Sequence, residues 1–372
     1  MGQSFSYWEL KTWFTDVDLA IVGSGITGLS CAIELRKKHP KAKILILEKG
    51  ILPNGASTKN AGFACFGSPS EIIEDLKSHS MDEVLGLVEK RFKGLEILRQ
   101  RLGDNTIKYE KNGGYELFLA QDKDLYTKCS ERLPELNKML HVLFKEDTFE
   151  AVDNLFGLKR LMPRLLLNKF EGQIDTGAMM HALLAYAQKQ DILILNGQQV
   201  LDFEDQGNRV VIKTGDFELQ SRQLFIATNG FAERLKIKHV KPARAQVLIT
   251  KPIKNLHIKG TFHLDRGYYY FRNVDDRILL GGGRNLDIAG ETTMTMGTTP
   301  LIQHRLRQLL QEVILPGVDF EIAHCWSGIM GVGKQKKPIV GRLSPNVAYG
   351  VRLGGMGVAM GSLVGRELAE GL

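Results

Sequence analysis

The stretch DLAIVGSGITGLSCAIELRKKHPKAKILILEKG, residues 18–50, carries the strongest fold signal in this chain. An apolar run at residues 17–22 ends directly in glycine, as expected for a buried parallel strand. Apolar residues then recur at helical spacing from Ile26 to Leu35, and a second apolar run follows at 43–50. This order of strand, helix and strand predicts the beginning of a doubly wound α/β fold.

The turn between that strand and helix has the spacing GxGxxG, with glycines at 23, 25 and 28. The first glycine permits a tight turn, the second lets a pyrophosphate touch the backbone, and the third lets helix and strand pack closely. Glu48 ends the second strand, where a carboxylate accepts hydrogen bonds from a ribose. The segment predicts binding of NAD or FAD rather than NADP, and it does not choose between the first two.

Composition favours an ordinary globular protein of one large or two interleaved domains, with 372 residues, of which 43% are hydrophobic and 24% charged. No apolar run is long enough to predict a spanning helix, and the first residues do not resemble a secretory signal. Four scattered cysteines without a CxxC pair indicate a reducing, cytoplasmic compartment and predict no metal site. The net charge of +7 is spread out, which favours an anionic ligand over a nucleic-acid partner.

Later segments combine apolar strands with turns of small residues. They are GASTKNAGFACFG at 55–67, GQIDTGAMMHALLAYAQKQDILILNGQQVLDFE at 172–204, RQLFIATNGFAERL at 222–235, HCWSGIMGVGKQKKPIVGR at 324–342 and YGVRLGGMGVAMGSLVGREL at 349–368. In this order, and with residues 18–50, they resemble the D-amino-acid oxidase family of FAD-dependent oxidoreductases, which includes glycine oxidase and sarcosine oxidase. The resemblance extends from Asp18 to Leu368 and identifies a family rather than a substrate.

The resemblance implies an α/β fold in which a Rossmann-like FAD-binding domain is interleaved with a smaller substrate domain. The FAD-binding domain is expected at 1–100, 155–235 and 325–372. The substrate domain, a mixed and mostly antiparallel sheet, is expected at 105–155 and 240–324. FAD would lie extended between the two domains.

The same resemblance implies the residues that bind the cofactor. The pyrophosphate, ribose and flavin would be held by Gly23, Ser24, Gly25, Ile26, Thr27, Gly28, Glu48, Lys49, Ala56, Ser57, Thr58, Asn60, Ala61, Gly62, Val200, Thr228, Asn229, Gly230, Gly328, Gly354, Gly355, Met356, Gly357, Val358, Ala359 and Met360.

The glycines near the C-terminus are unusual because glycine inside a helix costs roughly 1 kcal/mol relative to alanine. If a helix begins near Gly357, its free amides and positive dipole end would stabilise a reduced flavin. Gly361 and Gly365 are one helical turn apart, which favours close packing of the last helix instead.

Two positions depart from the family pattern. Relatives that act on amino acids bind the carboxylate through an arginine after Trp-x-Gly-x or a lysine after the last glycine block. Met330 and Ala359 stand at these positions, which puts simple glycine or sarcosine oxidation in doubt; Met330 is nevertheless expected to border the substrate, as are Tyr268, Tyr270, Arg272 and Trp326.

Residues 265–284 predict two strands around a turn at 273–276. Tyr268, Tyr270 and Arg272 alternate and therefore share one face. If that face meets the flavin, Arg272 would hold a carboxylate between tyrosine walls; otherwise it forms a surface pair. Further cations at 244 and 284 (Arg244 and Arg284) are alternatives, and Trp326 is expected to pack near the flavin or cover the pocket.

Cys325 stands where enzymes similar to sarcosine oxidase attach FAD covalently. A buried, unreactive thiol is the alternative, and non-covalent FAD is expected. The aromatic N-terminal arm, SFSYWELKTWF, predicts either an amphipathic membrane contact or a segment that packs back onto the domain. No histidine has a visible partner, so no catalytic residue is assigned.

Taken together, these features predict an FAD-dependent amine or amino-acid oxidoreductase, either an oxidase or a dehydrogenase. Hydride transfer from the carbon beside nitrogen to flavin N5 would give an imine that hydrolyses, and oxygen or another acceptor would reoxidise the flavin. The alternatives are an FAD-dependent dehydrogenase of a 2-hydroxy acid or glycerol phosphate, an enzyme that trims a modified tRNA base, and a non-catalytic FAD-binding protein. The sequence leaves the substrate, the acceptor and the oligomeric state open.

Overall fold

The computed structural model describes residues 5–371, and two large β-sheets organise the chain. In chain order, the strands are β1 (Val17–Val22), β2 (Ile44–Leu47), β3 (Phe63–Ala64), β4 (Gly114–Leu117), β5 (Phe149–Asp153), β6 (Arg164–Asn168), β7 (Gly172–Gln173), β8 (Leu193–Leu195), β9 (Val200–Asp205), β10 (Val210–Thr214), β11 (Glu218–Ile226), β12 (Lys241–Thr250), β13 (Thr261–Leu264), β14 (Tyr269–Val274), β15 (Arg277–Gly282), β16 (Ile322–Val332), β17 (Ile339–Ser344) and β18 (Val347–Val351).

Helices cover one face of the first sheet, and helices pack on both faces of the second. They are α1 (Tyr7–Glu9), α2 (Ile26–Lys38), α3 (Pro69–Asp75), α4 (Met81–Leu102), α5 (Asp104–Ile107), α6 (Lys123–Phe144), α7 (Thr176–Gln188), α8 (Pro300–Leu309) and α9 (Gly357–Glu370).

The first sheet has the strand order β17-β18-β11-β1-β2-β8, and β10 and β9 extend from β11. The predicted strand, helix and strand of residues 18–50 are confirmed as β1, α2 and β2. Ile21 of β1 lies opposite Ile46 and Phe225, and all three side chains are fully buried. Since β1, β2, β11 and β18 run parallel, their carboxyl ends lie along one edge of the sheet.

The second sheet has the order β16-β12-β15-β14-β13-β4-β6-β5 and is antiparallel except where β13 pairs with β4. The predicted hairpin is confirmed as β14 and β15, and Val274 lies opposite Arg277 across its turn. Helix α8 packs on this sheet through Ile302, Leu306 and Leu309, which are buried with Phe262 and Phe271. The expected interleaved Rossmann-like and mixed-sheet architecture is therefore present.

Sheet membership differs from the expected domain bounds at two strands. The bounds 155–235 and 325–372 place β6 and most of β16 with the FAD-binding domain, whereas both strands pair in the second sheet. The chain passes between the sheets without a linker of distinctive composition, so the sequence gives no signal at these crossings.

Helices α2, α4 and α9 form a closely packed layer over the first sheet. A Cβ added at Gly361 would lie 2.7 Å from the Ile26 side chain, and one at Gly365 would lie 2.6 Å from that of Ser30. Gly94 of α4 approaches the backbone of Ala359 in the same way. The expectation that Gly361 and Gly365 serve helix packing is confirmed.

The described part of the N-terminal arm, residues 5–14, divides into two faces. Phe14 packs 4.6 Å, between ring centroids, from both Phe5 and Phe217, whereas Tyr7 and Trp8 are 67% and 68% exposed. Packing onto the domain thus accounts for only one face of the arm. Within residues 5–371, no helix combines the length and apolar character needed to cross a bilayer.

Candidate functional site

A cavity of about 830 Å³ lies where the first sheet meets the second. Residues just beyond the carboxyl ends of β1, β2, β11 and β18 line it, among them Gly23, Glu48, Thr228 and Leu353. Open α/β sheets bind ligands at this edge because the loops and helix starts that follow the strands converge there. Strands β12 to β16 supply the opposite wall.

Most residues predicted to bind the cofactor line this cavity. They are Gly23, Gly25, Ile26, Thr27, Glu48, Lys49, Ala56, Ser57, Asn60, Ala61, Val200, Thr228, Asn229, Gly328, Gly354, Gly355, Met356, Gly357 and Val358. The other members of the predicted set, Ser24, Gly28, Thr58, Gly62, Gly230, Ala359 and Met360, lie behind the lining.

At the β1 end of the cavity, Glu48 braces the turns around it. Its carboxylate accepts hydrogen bonds from the amide and hydroxyl of Ser24, at 3.0 and 2.9 Å, and from the amide of Gly50 at 3.0 Å. Gly28 packs against the carbonyl of Gly23, which leaves no room for a side chain. Ser24 and Gly28 therefore shape the turn from behind.

The loop at 56–62 braces the start of α2. The Ser57 hydroxyl accepts a hydrogen bond from the amide of Ile26 at 3.0 Å. Asn60 donates to the carbonyl of Ser57 at 2.7 Å and accepts from the amide of Gly62 at 2.8 Å, which fixes the loop. Because Ser57 and Asn60 bond to backbone, the cavity face of the loop consists of small groups, amides and Lys59.

Three buried oxygen atoms on the cavity wall have no hydrogen-bond partner among residues 5–371. They are Thr27 Oγ1, Gln198 Oε1 and Thr228 Oγ1. Buried polar groups in folded proteins are almost always paired, since an unpaired one costs roughly 1–3 kcal/mol. All three atoms are buried beneath the wall, so the fit to a dinucleotide comes instead from the open glycine backbone along it, at Gly23 and Gly25 at one end and at Gly354, Gly355 and Gly357 at the other.

The C-terminal glycine segment forms the far end of the same wall. Asn229 Oδ1 accepts hydrogen bonds from the amides of Arg352 and Leu353, at 3.1 and 3.2 Å, which ties the end of β11 to the end of β18. Gly354 and Gly355 then adopt φ angles of +57° and +86°, which favour glycine. Helix α9 begins at Gly357, as predicted, and no side chain caps this end.

The second sheet contributes a mostly neutral wall around Phe63. The Phe63 ring lies 5.1 Å from that of His263 and 5.6 Å from that of Tyr270, between centroids. Burial lowers the pKa of His263 to about 4 and raises the pKa of Tyr270 to about 12, so both side chains are neutral near pH 7. Tyr268 and Met330 also line the cavity, as predicted for the substrate side.

The structure places Arg272 outside the cavity. Its guanidinium donates to the carbonyls of Ala61, Asn273 and Ile174, the last two at 3.1 and 2.9 Å. Arg272 does share a face with the two tyrosines, but it is engaged by backbone carbonyls and does not reach the cavity. Its position therefore does not support a carboxylate anchor.

Trp326 and Cys325 occupy opposite faces of β16. The Trp326 indole donates to the carbonyl of Lys59 at 3.0 Å and supports the 56–62 loop from behind. Cys325 packs against the core under α8 and lines a separate shallow hollow, and burial raises the pKa of its thiol. Arg244 forms an ion pair with the fully buried Glu291, at 2.7 Å, and is also outside the cavity.

Sequence reasoning missed several charged residues and one histidine of the cavity wall. Among them are Glu71, Glu74, Lys77, His263, Arg266 and Lys336, and Lys59 and Arg234 also line the cavity. A periodicity signal existed for His263, which lies opposite Tyr270 in the β13–β14 ladder, but the pairing of those strands was not predicted. The others come from helix α3 and loops, whose positions depend on tertiary contacts.

Comparison with known proteins identifies the family. The family model for FAD-dependent oxidoreductases, DAO, matches residues 18–371. The chain is 23% identical over 390 residues to the probable oxidoreductase OrdL of Haemophilus influenzae, covering 100% of this chain and 86% of that protein. It is 25% identical over 378 residues to gamma-glutamylputrescine oxidoreductase of Escherichia coli, covering 95% and 83%.

A solved structure supports the same fold. Iminodiacetate oxidase from Chelativorans sp. BNC1 superposes with a TM-score of 0.75 and 18% sequence identity, over 94% of each chain. The residues matched by the family model, 18–371, include both glycine-rich turns and the strands that border the cavity. The chain therefore belongs to the DAO family of FAD-dependent oxidoreductases.

Proposed function

We propose that this enzyme oxidises a C–N bond of a small amine or amino acid. The observation that carries the proposal is the meeting of two walls in one cavity: the glycine turns of the first sheet and the neutral wall of Phe63, His263, Tyr268 and Tyr270. The names of similar proteins, gamma-glutamylputrescine oxidoreductase and iminodiacetate oxidase, favour an amino compound as the substrate.

FAD, when bound, supplies the acceptor for the hydride that leaves the carbon beside nitrogen. As that C–H bond breaks, the nitrogen lone pair forms the C=N bond; after release the iminium product loses a proton to solvent, and water converts it to a carbonyl compound and ammonia or an amine. The protein's contribution is to hold the substrate among rings that exclude water. Because His263 and Tyr270 are neutral, this wall favours an uncharged amine nitrogen.

The residues that fit the cofactor are the turn at 23–28, the loop at 56–62, and the segment at 354–358. The uncapped start of α9 presents amides and a positive dipole end to the cavity, which would stabilise negative charge there by about 1–2 kcal/mol when partly buried.

We further propose that FAD is held without a covalent link, because Cys325 lies on the far face of β16. Acid precipitation of the purified holoenzyme should leave the flavin in the supernatant. A Cys325→Ala variant should retain the same flavin content. Yellow precipitate from the unmodified enzyme that turns colourless in this variant would contradict the proposal.

The function is tested by anaerobic mixing of the holoenzyme with a panel of amines, amino acids, 2-hydroxy acids and glycerol phosphate. We expect at least one amine to abolish the visible absorbance of oxidised flavin and to yield the corresponding carbonyl compound. If only a hydroxy acid or glycerol phosphate bleaches the flavin, the alternative dehydrogenase is correct. If dithionite alone does so, the protein is a flavoprotein that does not act on these compounds.

A further inference from the structure

Ionic partners neutralise most charged groups on the outer part of the cavity wall. Lys336 lies 3.0 Å from Glu71 and 2.9 Å from Asp75, which joins the β16–β17 loop to helix α3. Lys77 lies 2.6 Å from Glu74. These pairs leave little net charge for a substrate at this part of the wall.

Arg284 is different. This half-buried residue lines the cavity, yet within residues 5–371 its side chain has neither a hydrogen bond nor an ion pair. Arg266, at the mouth, has only a weak pair with Asp265 at 3.9 Å. A guanidinium has five N–H donors and matches a carboxylate in a bidentate geometry. The outer wall thus presents an unmatched positive charge to whatever enters.

Positions along strand β14 show how far from the cavity mouth each side chain on this wall lies. Arg272 lies against the backbone of Ala61, and two residues along the strand Tyr270 lies beside Phe63. Tyr268 follows after two more residues. Since a strand advances about 3.3 Å per residue, two residues correspond to roughly 7 Å; Tyr268 directly precedes β14, and the exposed Arg266 beyond it marks the mouth.

Two levels can therefore be distinguished: an inner level of Phe63, His263 and Tyr270, and an outer level of Tyr268 and Arg284. The amide of Gly283 donates to the carbonyl of Tyr268 at 3.0 Å, which holds the neighbouring residue 284 at the outer level. None of the three inner-level residues is a cation at pH 7, although Lys59, on the 56–62 loop, also lines the cavity and has no side-chain hydrogen bond or ion pair within residues 5–371. Arg272 is occupied, and the two family anchor positions hold Met330 and Ala359.

We infer that Arg284 binds a carboxylate that the substrate carries remote from the oxidised carbon. This inference rests on the proposed amine oxidation and names its substrate class: amines with a distal carboxylate rather than α-amino acids. A chain advances about 3.5 Å for every three backbone bonds, so the roughly 7 Å between the levels corresponds to about six bonds.

The test uses FAD-loaded enzyme mixed anaerobically with ω-amino acids of increasing length, from glycine to 7-aminoheptanoate, each compared with its neutral amide. The apparent second-order rate constant for flavin bleaching is measured for every compound. We expect the acids of six and seven carbons to exceed their amides by roughly 10- to 100-fold, the range for hydrogen bonds to charged groups. Glycine should show no such advantage.

Variants identify the group responsible. Arg284→Met should remove the advantage of the long acids and leave the amides nearly unchanged, while Arg284→Lys should retain part of it. Arg222→Met is the matched control: residue 222 is 80% exposed on its side chain, lies on β11 and is outside the cavity, so its loss changes net charge without changing the preference. The flavin spectrum and melting temperature confirm that each variant is folded.

The outcomes separate this inference from the function on which it rests. If amines bleach the flavin but long acids match their amides, or if Arg284→Met keeps the preference, Arg284 is not the anchor and amine oxidation stands. If no amine bleaches the flavin, the proposed function fails and the inference fails with it.

Discussion

The starts of helices α2 and α9 face the same cavity and differ in how they are completed. Both follow a glycine-rich turn after a parallel strand, and the two helices pack on each other through Gly361 and Gly365. At α2 the amide of Ile26 is bonded by Ser57, a residue of another loop. At α9 no side chain caps the first turn, and two left-handed glycines precede it.

This difference indicates that the two ends of the cavity have different roles. The α2 end is tied to the 56–62 loop by the bond between Ile26 and Ser57, which suits a site that holds a cofactor permanently. The α9 end keeps its amides for the ligand and faces the neutral substrate wall, which suits a site where charge changes during a reaction. Substitutions at the α2 end should therefore cause loss of FAD, and substitutions at the α9 end should alter the rate at which bound FAD is reduced.

The largest effect should come from Gly28→Val at the α2 end. The new side chain would collide with the carbonyl of Gly23, so β1 and α2 would separate. We expect the free energy of unfolding to fall by about 3 kcal/mol and FAD to be lost. Gly86→Val in α4 is the matched control, because a Cβ there meets nothing within 4 Å. Chemical denaturation measures the loss of stability, and flavin absorbance measures the loss of FAD. A Gly28→Val protein that is yellow and as stable as the wild type would contradict the proposed role of the α2 end.

A titration of His263 tests the substrate wall. Its pKa is about 4 in the folded protein and 6.5 in the unfolded chain, so the unfolded state binds the proton first as pH falls. Stability from this group is present above pH 6.5 and is lost toward pH 4. Relative to His263→Gln, the wild type should lose about 2–3 kcal/mol across that window. Urea unfolding at several pH values measures this difference, and parallel curves for the two proteins would contradict it.

Gly355→Ala should separate strain from chemistry at the α9 end. Alanine at a φ of +86° should cost about 1–2 kcal/mol of stability and shift the backbone that faces the cavity. Flavin reduction should slow while FAD stays bound. Gly317→Ala, at a φ of +74° and with nothing within 4 Å, should lose similar stability and reduce flavin normally. Equal reduction rates in the two variants would show that the α9 start has no special role.

The smallest effect should follow Ser57→Ala, which removes the side-chain bond to the start of α2. We expect a loss of about 1 kcal/mol in stability and weaker FAD binding, with an unchanged rate of flavin reduction in saturated enzyme. Ser80→Ala removes the cap of α4, whose hydroxyl accepts from the amide of Glu83 at 3.3 Å, and should leave FAD affinity unchanged. Isothermal titration of the apoproteins with FAD compares the two variants.

The sequence by itself determined the local units: β1, α2 and β2, the glycine turns at both helix starts, and the hairpin of β14 and β15. These follow from short-range rules, because apolar periodicity and glycine placement act within a few residues. The family and the FAD-binding segments were also accessible, since their motifs are ordered along the chain.

Tertiary structure alone decided which of those residues face the cavity. Arg272 and Tyr270 share a strand face, yet contact with the backbone near Ala61 removes the arginine from the site. His263, Lys336 and Arg284 reach the cavity through strand pairing and loop contacts between segments distant in the chain. Alternation along a strand determines only the sheet face from which a side chain projects. The hydrogen-bond partners of that side chain depend on the segments that the fold places next to it.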